Sequence, residues 1–337
     1  MYTDRSPRSS RRPAGSRVRH RPLPRDVRRG HFVSHAVWRP RWALLLAAAV
    51  VVMAALAVSA LMTGCGYVQG TTTTGSDVGG DGGFTYPTGP DDVVFRIEYG
   101  GGFVPVEFIF TTLPALSLYG DGRVITQGPI PEIYPGPALP NLQVATLSQP
   151  GIQKLLAAAR DAGLFESDVD YGQPTVADGS TTIFTIAADG RVFETSIYHL
   201  ASDNSTGLGL SDDQVERRTR VLDFQTKLGD LAGWLGDDLG PEQPYEWQAL
   251  SILIMPGDPG SQDDSGIEPR IVDWPLADLA TLGEPNEVPQ GRRAVITGAD
   301  LETLRPLVQQ ADTLTFWRSG GSIYSLLLRP LLPDEIG

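Results

Sequence analysis

The sequence predicts an α+β fold in which mostly antiparallel sheets pack against helices. Two observations predict this class. Several pairs of segments with alternating polarity flank short glycine-containing turns, a pattern typical of antiparallel hairpins. Three other segments carry apolar residues every three to four positions, which predicts helices that each bury one face.

The N-terminal part of the chain predicts a membrane anchor ahead of this fold. Residues 1–42 contain twelve arginines and two aspartates, and residues 43–62 are apolar apart from Ser59. Residues 66–337 carry 38 acidic and 15 basic side chains. Twenty apolar residues suffice to cross a bilayer, and a basic flank is retained in the cytoplasm. We therefore expect 1–42 to be a disordered cytoplasmic segment, 43–65 a signal or transmembrane anchor, and the acidic remainder to lie outside the cell membrane.

Cys65, the only cysteine in the sequence, follows the apolar run directly. Residues 61–65 (Leu-Met-Thr-Gly-Cys) resemble a bacterial lipobox, in which the cysteine is lipidated after signal cleavage. The resemblance implies lipidation at Cys65. The alternative is an uncleaved transmembrane helix with an incidental cysteine, and the sequence leaves both open.

Composition divides the rest of the chain into four parts. Residues 66–91 are rich in Gly, Thr and Asp and predict a flexible linker. We expect a first α+β half at 92–205, a long helix with its connector at 206–244, and a second α+β half at 245–337.

The predicted strands are bounded by glycines. Residues 93–99 alternate in polarity and stop at a glycine triplet, and residues 249–255 predict a fully buried strand. Three hairpins are predicted, pairing 116–119 with 123–126, 183–186 with 193–198, and 314–317 with 323–328.

Each predicted helix has a start signal. Ser148 is a candidate N-cap with Gly163 closing the helix, and Ser211 with Gln214 forms a capping box for a longer helix that ends at Gly236. The third helix begins at Thr297 and must kink or split at Pro306.

Residues 145–162 align without gaps with residues 294–311, so that the caps and the apolar positions of two helices coincide. This match predicts two related halves joined by the long helix. The alternative, a chance match between two amphipathic helices, stays open.

A proline-rich segment offers a candidate contact site. Five prolines fall between 129 and 140 and prevent regular backbone hydrogen bonding, yet the segment carries large apolar side chains. We predict that Tyr134 and Leu139 contact a partner. The alternative is that Ile133 and Tyr134 fold back over the sheet.

Catalytic signatures are sparse. His199 is the only histidine after residue 65, and Asp203 and several serines follow it, but a histidine at the end of a strand is the simpler interpretation. The acidic pairs 212–213, 237–238 and 263–264 lack the alternate spacing of a calcium loop. The sequence therefore predicts no catalytic, metal or cofactor-binding residues.

Two partner classes can be weighed from composition. With only two lysines after residue 65, the exported part lacks the basic footprint that nucleic acid requires. Trp234, Trp247, Trp274 and Trp317 could stack on sugars, although core positions are the commoner use.

Four stretches resemble a set of actinobacterial membrane-associated proteins of unknown function, including candidate lipoproteins. They are residues 95–102, 118–125, 134–140 and 329–335. The resemblance implies a location at the membrane and no activity.

The sequence thus favours a non-catalytic binding or scaffolding protein of the cell envelope, whose partners are the membrane and either another envelope protein or a cell-wall glycan. The alternative is a cell-wall hydrolase, since glycoside cleavage needs only two carboxylates.

Overall fold

The computed structural model describes residues 83–200, 208–261 and 266–336, which lie within one compact unit. The predicted cytoplasmic segment, the anchor with Cys65, and most of the linker lie outside these residues. Among the described residues, no helix is both long and apolar enough to span a membrane.

The first sheet has seven strands. They are β1 (Val93–Gly101), β2 (Leu116–Tyr119), β3 (Arg123–Gln127), β4 (Leu142–Thr146), β5 (Ser180–Ala188), β6 (Arg191–Tyr198) and β7 (Gln243–Pro244). Their order is β6-β5-β1-β2-β3-β4-β7, and every neighbouring pair is antiparallel.

The second sheet has six strands. They are β8 (Ala249–Pro256), β9 (Arg270–Asp273), β10 (Glu284–Asn286), β11 (Gly291–Thr297), β12 (Thr315–Ser319) and β13 (Ser322–Pro330). Their order is β10-β11-β8-β13-β12-β9, and only β9 and β12 are parallel. The α+β class with mostly antiparallel sheets is confirmed, as is the buried strand β8.

The three predicted hairpins form, and the turn between β5 and β6 shows why. Asp189 and Gly190 both have positive φ, at 51° and 68°. Asn, Asp and Gly tolerate this left-handed backbone, whose twist suits a two-residue hairpin. The hairpins β2–β3 and β12–β13 form at the predicted glycine turns.

Five α-helices occur in the described residues. They are α1 (Val106–Thr111), α2 (Gln149–Asp161), α3 (Asp212–Leu228), α4 (Leu231–Leu235) and α5 (Gly298–Val308). Ser148 caps α2 and Ser211 forms the expected capping box of α3, but the Thr297 side chain makes no capping bond to α5.

The prediction of one long helix up to Gly236 is wrong in one respect, because the helix ends at Gly229. The Asp230 carboxylate accepts a hydrogen bond from the backbone N–H of Gly233 and so starts a new helix, α4. Glycine is a weak helix former and aspartate a strong N-cap, so the two together end α3. Pro306 lies in the last turn of α5, which ends two residues later.

Two hydrophobic cores lie on opposite faces of the first sheet. Leu118 points into a core shared with helices α2 and α3, whereas its neighbour Tyr119 points into a core shared with the second sheet and α5. Successive strand residues face opposite sides, so β2 is buried on both faces.

The strand orders do not support the predicted duplication. In the first sheet, the hairpin that follows α2 joins the central strand β1 through its first strand, β5. In the second sheet, the hairpin that follows α5 joins the central strand β8 through its second strand, β13. The two helices align because any helix with one buried face repeats its apolar residues at the same interval.

The predicted linker 66–91 ends earlier than expected. Phe84 and Tyr86 are buried in the first core, and the Thr85 N–H donates to the Asp189 carboxylate at 3.0 Å. The chain therefore joins the domain at the β5–β6 turn.

Candidate functional site

Two loops leave the same end of the first sheet. Gly101 pairs with Ser180 at the end of β1, and Gln127 pairs with Leu142 where β3 passes to β4. The β1–β2 loop (102–115) and the β3–β4 loop (128–141) thus emerge side by side, opposite the β5–β6 turn where the chain enters. The nine residues of β1 separate the two ends by about 30 Å.

The first loop exposes large apolar side chains. Phe103 is 93 % exposed, Phe108 59 % and Ile109 62 %. Gly101 and Gly102 turn the chain out of β1 with positive φ values of 73° and 81°. Short helix α1 then presents Phe108 and Ile109 on the outside.

The second loop does the same. Ile130 is 65 % exposed, Ile133 62 % and Tyr134 53 %. Together with Phe103, Phe108 and Ile109, these three residues form what we call the apolar loop surface. Large exposed apolar side chains grouped at one end of a domain are uncommon on monomeric proteins and mark sites of association.

Leu139, the other residue predicted to contact a partner, lies elsewhere. It is partly buried and packs against the second core. The segment beside it is fixed by backbone bonds, since the Ala138 N–H donates to the Ala311 carbonyl at 3.0 Å and the Thr313 N–H donates to the Gly136 carbonyl at 2.9 Å. The loop thus holds Leu139 inward and Ile133 and Tyr134 outward.

The first loop is also held at its base. The Gln127 amide donates to the carbonyls of Leu113 and Pro114, at 3.1 and 3.3 Å. Arg329 donates to the Thr112 carbonyl at 3.0 Å, and the Arg293 guanidinium lies 5.1 Å from the centre of the Phe110 ring. The exposed tips therefore stand on an ordered scaffold.

A second feature is a partly buried polar network that joins β1 and β2 to residues 329–335. Arg96 on β1 donates to Asp334 at 2.7 Å, and the Tyr119 hydroxyl donates to the same oxygen at 2.7 Å. Burial by itself would raise the pKa of Asp334, but the hydrogen bonds from Arg96 and Tyr119 outweigh it and hold that pKa below its usual value. Burial and the adjacent carboxylate raise the pKa of Tyr119, so the phenol keeps its proton.

A second pair fixes the same segment. Arg329 donates to both oxygens of Glu335, at 2.7 and 2.9 Å. This bidentate geometry orients both side chains. Three of the stretches that carry the resemblance, 95–102, 118–125 and 329–335, thus contribute to one structural region.

An open cleft of about 460 Å³ lies beside this network. Three carboxylates line it, from Asp91, Glu246 and Asp334, together with Arg123 and Tyr245. Burial raises the pKa of Tyr245 to about 12. Glycoside hydrolysis by a pair of carboxylates would use the acidic side chains of this cleft.

His199 directly follows β6 and has a φ of 48°. Its carbonyl accepts a hydrogen bond from the buried Arg218, and its N–H donates to the Ser180 carbonyl at 2.7 Å. Asp203 lies outside the described residues. The described contacts of His199 are therefore those of a structural residue at the end of a strand, whose backbone bonds to β5 and Arg218.

The remaining sequence candidates occupy structural positions. Trp247, Trp274 and Trp317 are buried in the second core, and Trp234 is half-buried beside α3. Asp212 and Asp213 start α3, and 263–264 lie outside the described residues. The described part of the chain holds no group of three or more His, Cys, Asp or Glu side chains arranged to bind a metal.

Sequence reasoning missed half of the apolar loop surface. A signal was present, since three glycines precede a run from Phe103 to Phe110 with a single charge. Such a run predicts a buried strand or helix equally well, and only the fold reveals which residues lack a covering layer.

No protein-family model, curated protein or solved structure matches this chain.

Proposed function

We propose that this chain is a membrane-anchored extracytoplasmic protein that binds a partner protein through the apolar loop surface. One observation carries the proposal: six large apolar side chains lie exposed on two loops that leave the same end of the first sheet. A preordered apolar surface loses little conformational entropy on binding, which favours association.

The location rests on sequence. The arginine-rich segment, the apolar run and the acidic remainder support an anchor with the domain outside. Cys65 as a lipid anchor and an uncleaved transmembrane helix both give this topology.

The apolar loop surface lies about 30 Å from the point where the chain enters the domain beside Asp189, at the other end of β1. A protein is the favoured partner over a lipid surface, because residues 66–337 carry 38 acidic and 15 basic side chains and are repelled by anionic lipid headgroups.

In-cell photo-crosslinking tests this proposal. A benzophenone amino acid replaces Phe108 or Ile133 in the full chain, and Val192 serves as the control because it is 70 % exposed beside the β5–β6 turn. We expect one protein adduct of the same mass from Phe108 and Ile133, and none from Val192. Lipid adducts, or the same adducts from all three positions, would contradict the proposal.

A cell-wall hydrolase is the second candidate, and the cleft with Asp91, Glu246 and Asp334 is the observation that favours it. Purified full chain incubated with cell-wall material distinguishes the two. Release of soluble fragments that is lost in Glu246→Gln would support hydrolysis, whereas intact wall material would count against it.

A further inference from the structure

The two lysines of the sequence meet in one groove. Lys154 on α2 and Lys227 on α3 line an open groove of about 400 Å³, and all other cationic side chains of the chain are arginines or histidines. The Lys154 ammonium donates to the Trp234 carbonyl at 2.8 Å. The Lys227 ammonium lies 5.9 Å from the centre of the Trp234 ring.

The walls of this lysine groove leave room for a ligand beside the indole. Small side chains line it, Ala157 and Ala158 on α2 and Ala162 directly after that helix. Trp234 is half-buried and lines the groove, and its ring lies perpendicular to that of Phe224 with the ring centres 6.2 Å apart. A partly exposed indole offers apolar ring surface against which a sugar ring can pack.

The charges of the groove are mixed. Arg220 adds a third cation and bonds to Glu216 at 2.9 Å, while Asp161 and Asp223 also line the groove. Residues 66–337 as a whole carry a net charge of −23, from 38 acidic and 15 basic side chains. An anion is therefore repelled by most of the domain but meets two flexible ammonium groups here.

We propose that the lysine groove binds an anionic sugar, with the lysines on its carboxylate or phosphate and Trp234 against the ring. Asp161 and Asp223 would accept hydrogen bonds from sugar hydroxyls, which accounts for acidic groups beside the cations. This site is separate from the apolar loop surface and does not depend on it.

The lysine content makes the test selective. Sulfo-NHS acetate acetylates amines, and the only two lysines of the chain lie in the groove. Mass spectrometry of the full chain in detergent therefore measures lysine acetylation at the groove alone. We expect trigalacturonate or glucose 6-phosphate to protect Lys227, and neutral maltotriose and inorganic phosphate to leave it reactive. Protection by the uronate identifies a carboxylate source, and protection by the sugar phosphate a phosphate source.

Matched variants complete the test. The Kd of the protective ligand is measured by titration calorimetry, since these variants lack the Lys227 amine. Lys227→Gln should raise this Kd about tenfold, and Lys227→Arg should keep it within about threefold of the wild-type value. Arg318→Gln removes the same charge from an exposed ion pair on the second sheet and should leave affinity unchanged. Melting temperatures verify that all variants are folded.

Three results would overturn the proposal. In the first, neither anionic sugar changes the reactivity of Lys227. In the second, maltotriose or inorganic phosphate protects Lys227 as well as the anionic sugars do. In the third, Lys227→Gln and Arg318→Gln lose the same amount of affinity.

Discussion

Asp334 illustrates how one side chain can fix a chain segment. It accepts hydrogen bonds from Arg96 and Tyr119, and the Arg96 guanidinium is largely buried. Asp334→Ala should lower the free energy of unfolding by about 1 to 3 kcal/mol, because Arg96 is left without its carboxylate. Urea unfolding measures the change. Asp91→Ala, an exposed position in the same cleft, should change stability by less than about 0.5 kcal/mol, and equal effects would refute this role.

The same carboxylate predicts a pH dependence. Its folded pKa lies below that of the unfolded chain, so the unfolded state binds more protons and stability rises with pH in this range. The stability that ionised Asp334 contributes is present above about pH 4, the pKa of an unfolded aspartate. It is lost as the pH falls through the lower pKa of Asp334 in the folded protein. The stability difference between the wild type and Asp334→Asn should therefore shrink on acidification in urea titrations. A constant difference would exclude the ion pair as its source.

Leu155 and Leu304 are the buried anchors of helices α2 and α5, and neither is exposed to solvent. Leu155→Ala and Leu304→Ala should each cost about 2 to 4 kcal/mol, since each leaves a cavity in a packed core. Chemical denaturation measures both, with Val192→Ala as the exposed control. If neither substitution lowered the free energy of unfolding, these two helices would not be packed into the cores as described.

Local signals explain which elements could be predicted. Asp189-Gly190 requires positive φ and Ser211 with Gln214 caps a helix, and both act within four residues, so the sequence reveals them. The break at Gly229 was missed because the apolar spacing continues into α4. The strand order and the Arg96–Asp334 bond, 238 residues apart, depend on long-range packing that periodicity does not encode.

The candidate site was predictable to a smaller extent. Proline density indicated a loop with apolar residues, and Ile133 and Tyr134 are exposed rather than folded back over the sheet. Leu139 has the same sequence character but packs inward, because backbone bonds join its loop to the segment between α5 and β12. Burial of a single loop side chain depends on this docking, which no local pattern indicates.

At the scale of the whole molecule, the anchor can be tested through Cys65. If the lipobox resemblance holds, Cys65→Ser should abolish incorporation of a labelled fatty acid and block signal cleavage, which raises the apparent mass. Metabolic labelling and immunoblotting of membranes measure both. An unchanged mass and membrane location, with no label in the wild type, would instead support the uncleaved helix.

The most direct test of the central claim separates binding from folding. A photo-crosslinker at Phe103 reports the partner, and Phe108→Ser with Ile133→Ser removes two apolar side chains from the same surface. We predict that the double variant keeps the wild-type Tm, because both side chains are exposed, and loses the partner adduct. An adduct that persists at wild-type yield in the folded double variant would contradict binding through the apolar loop surface.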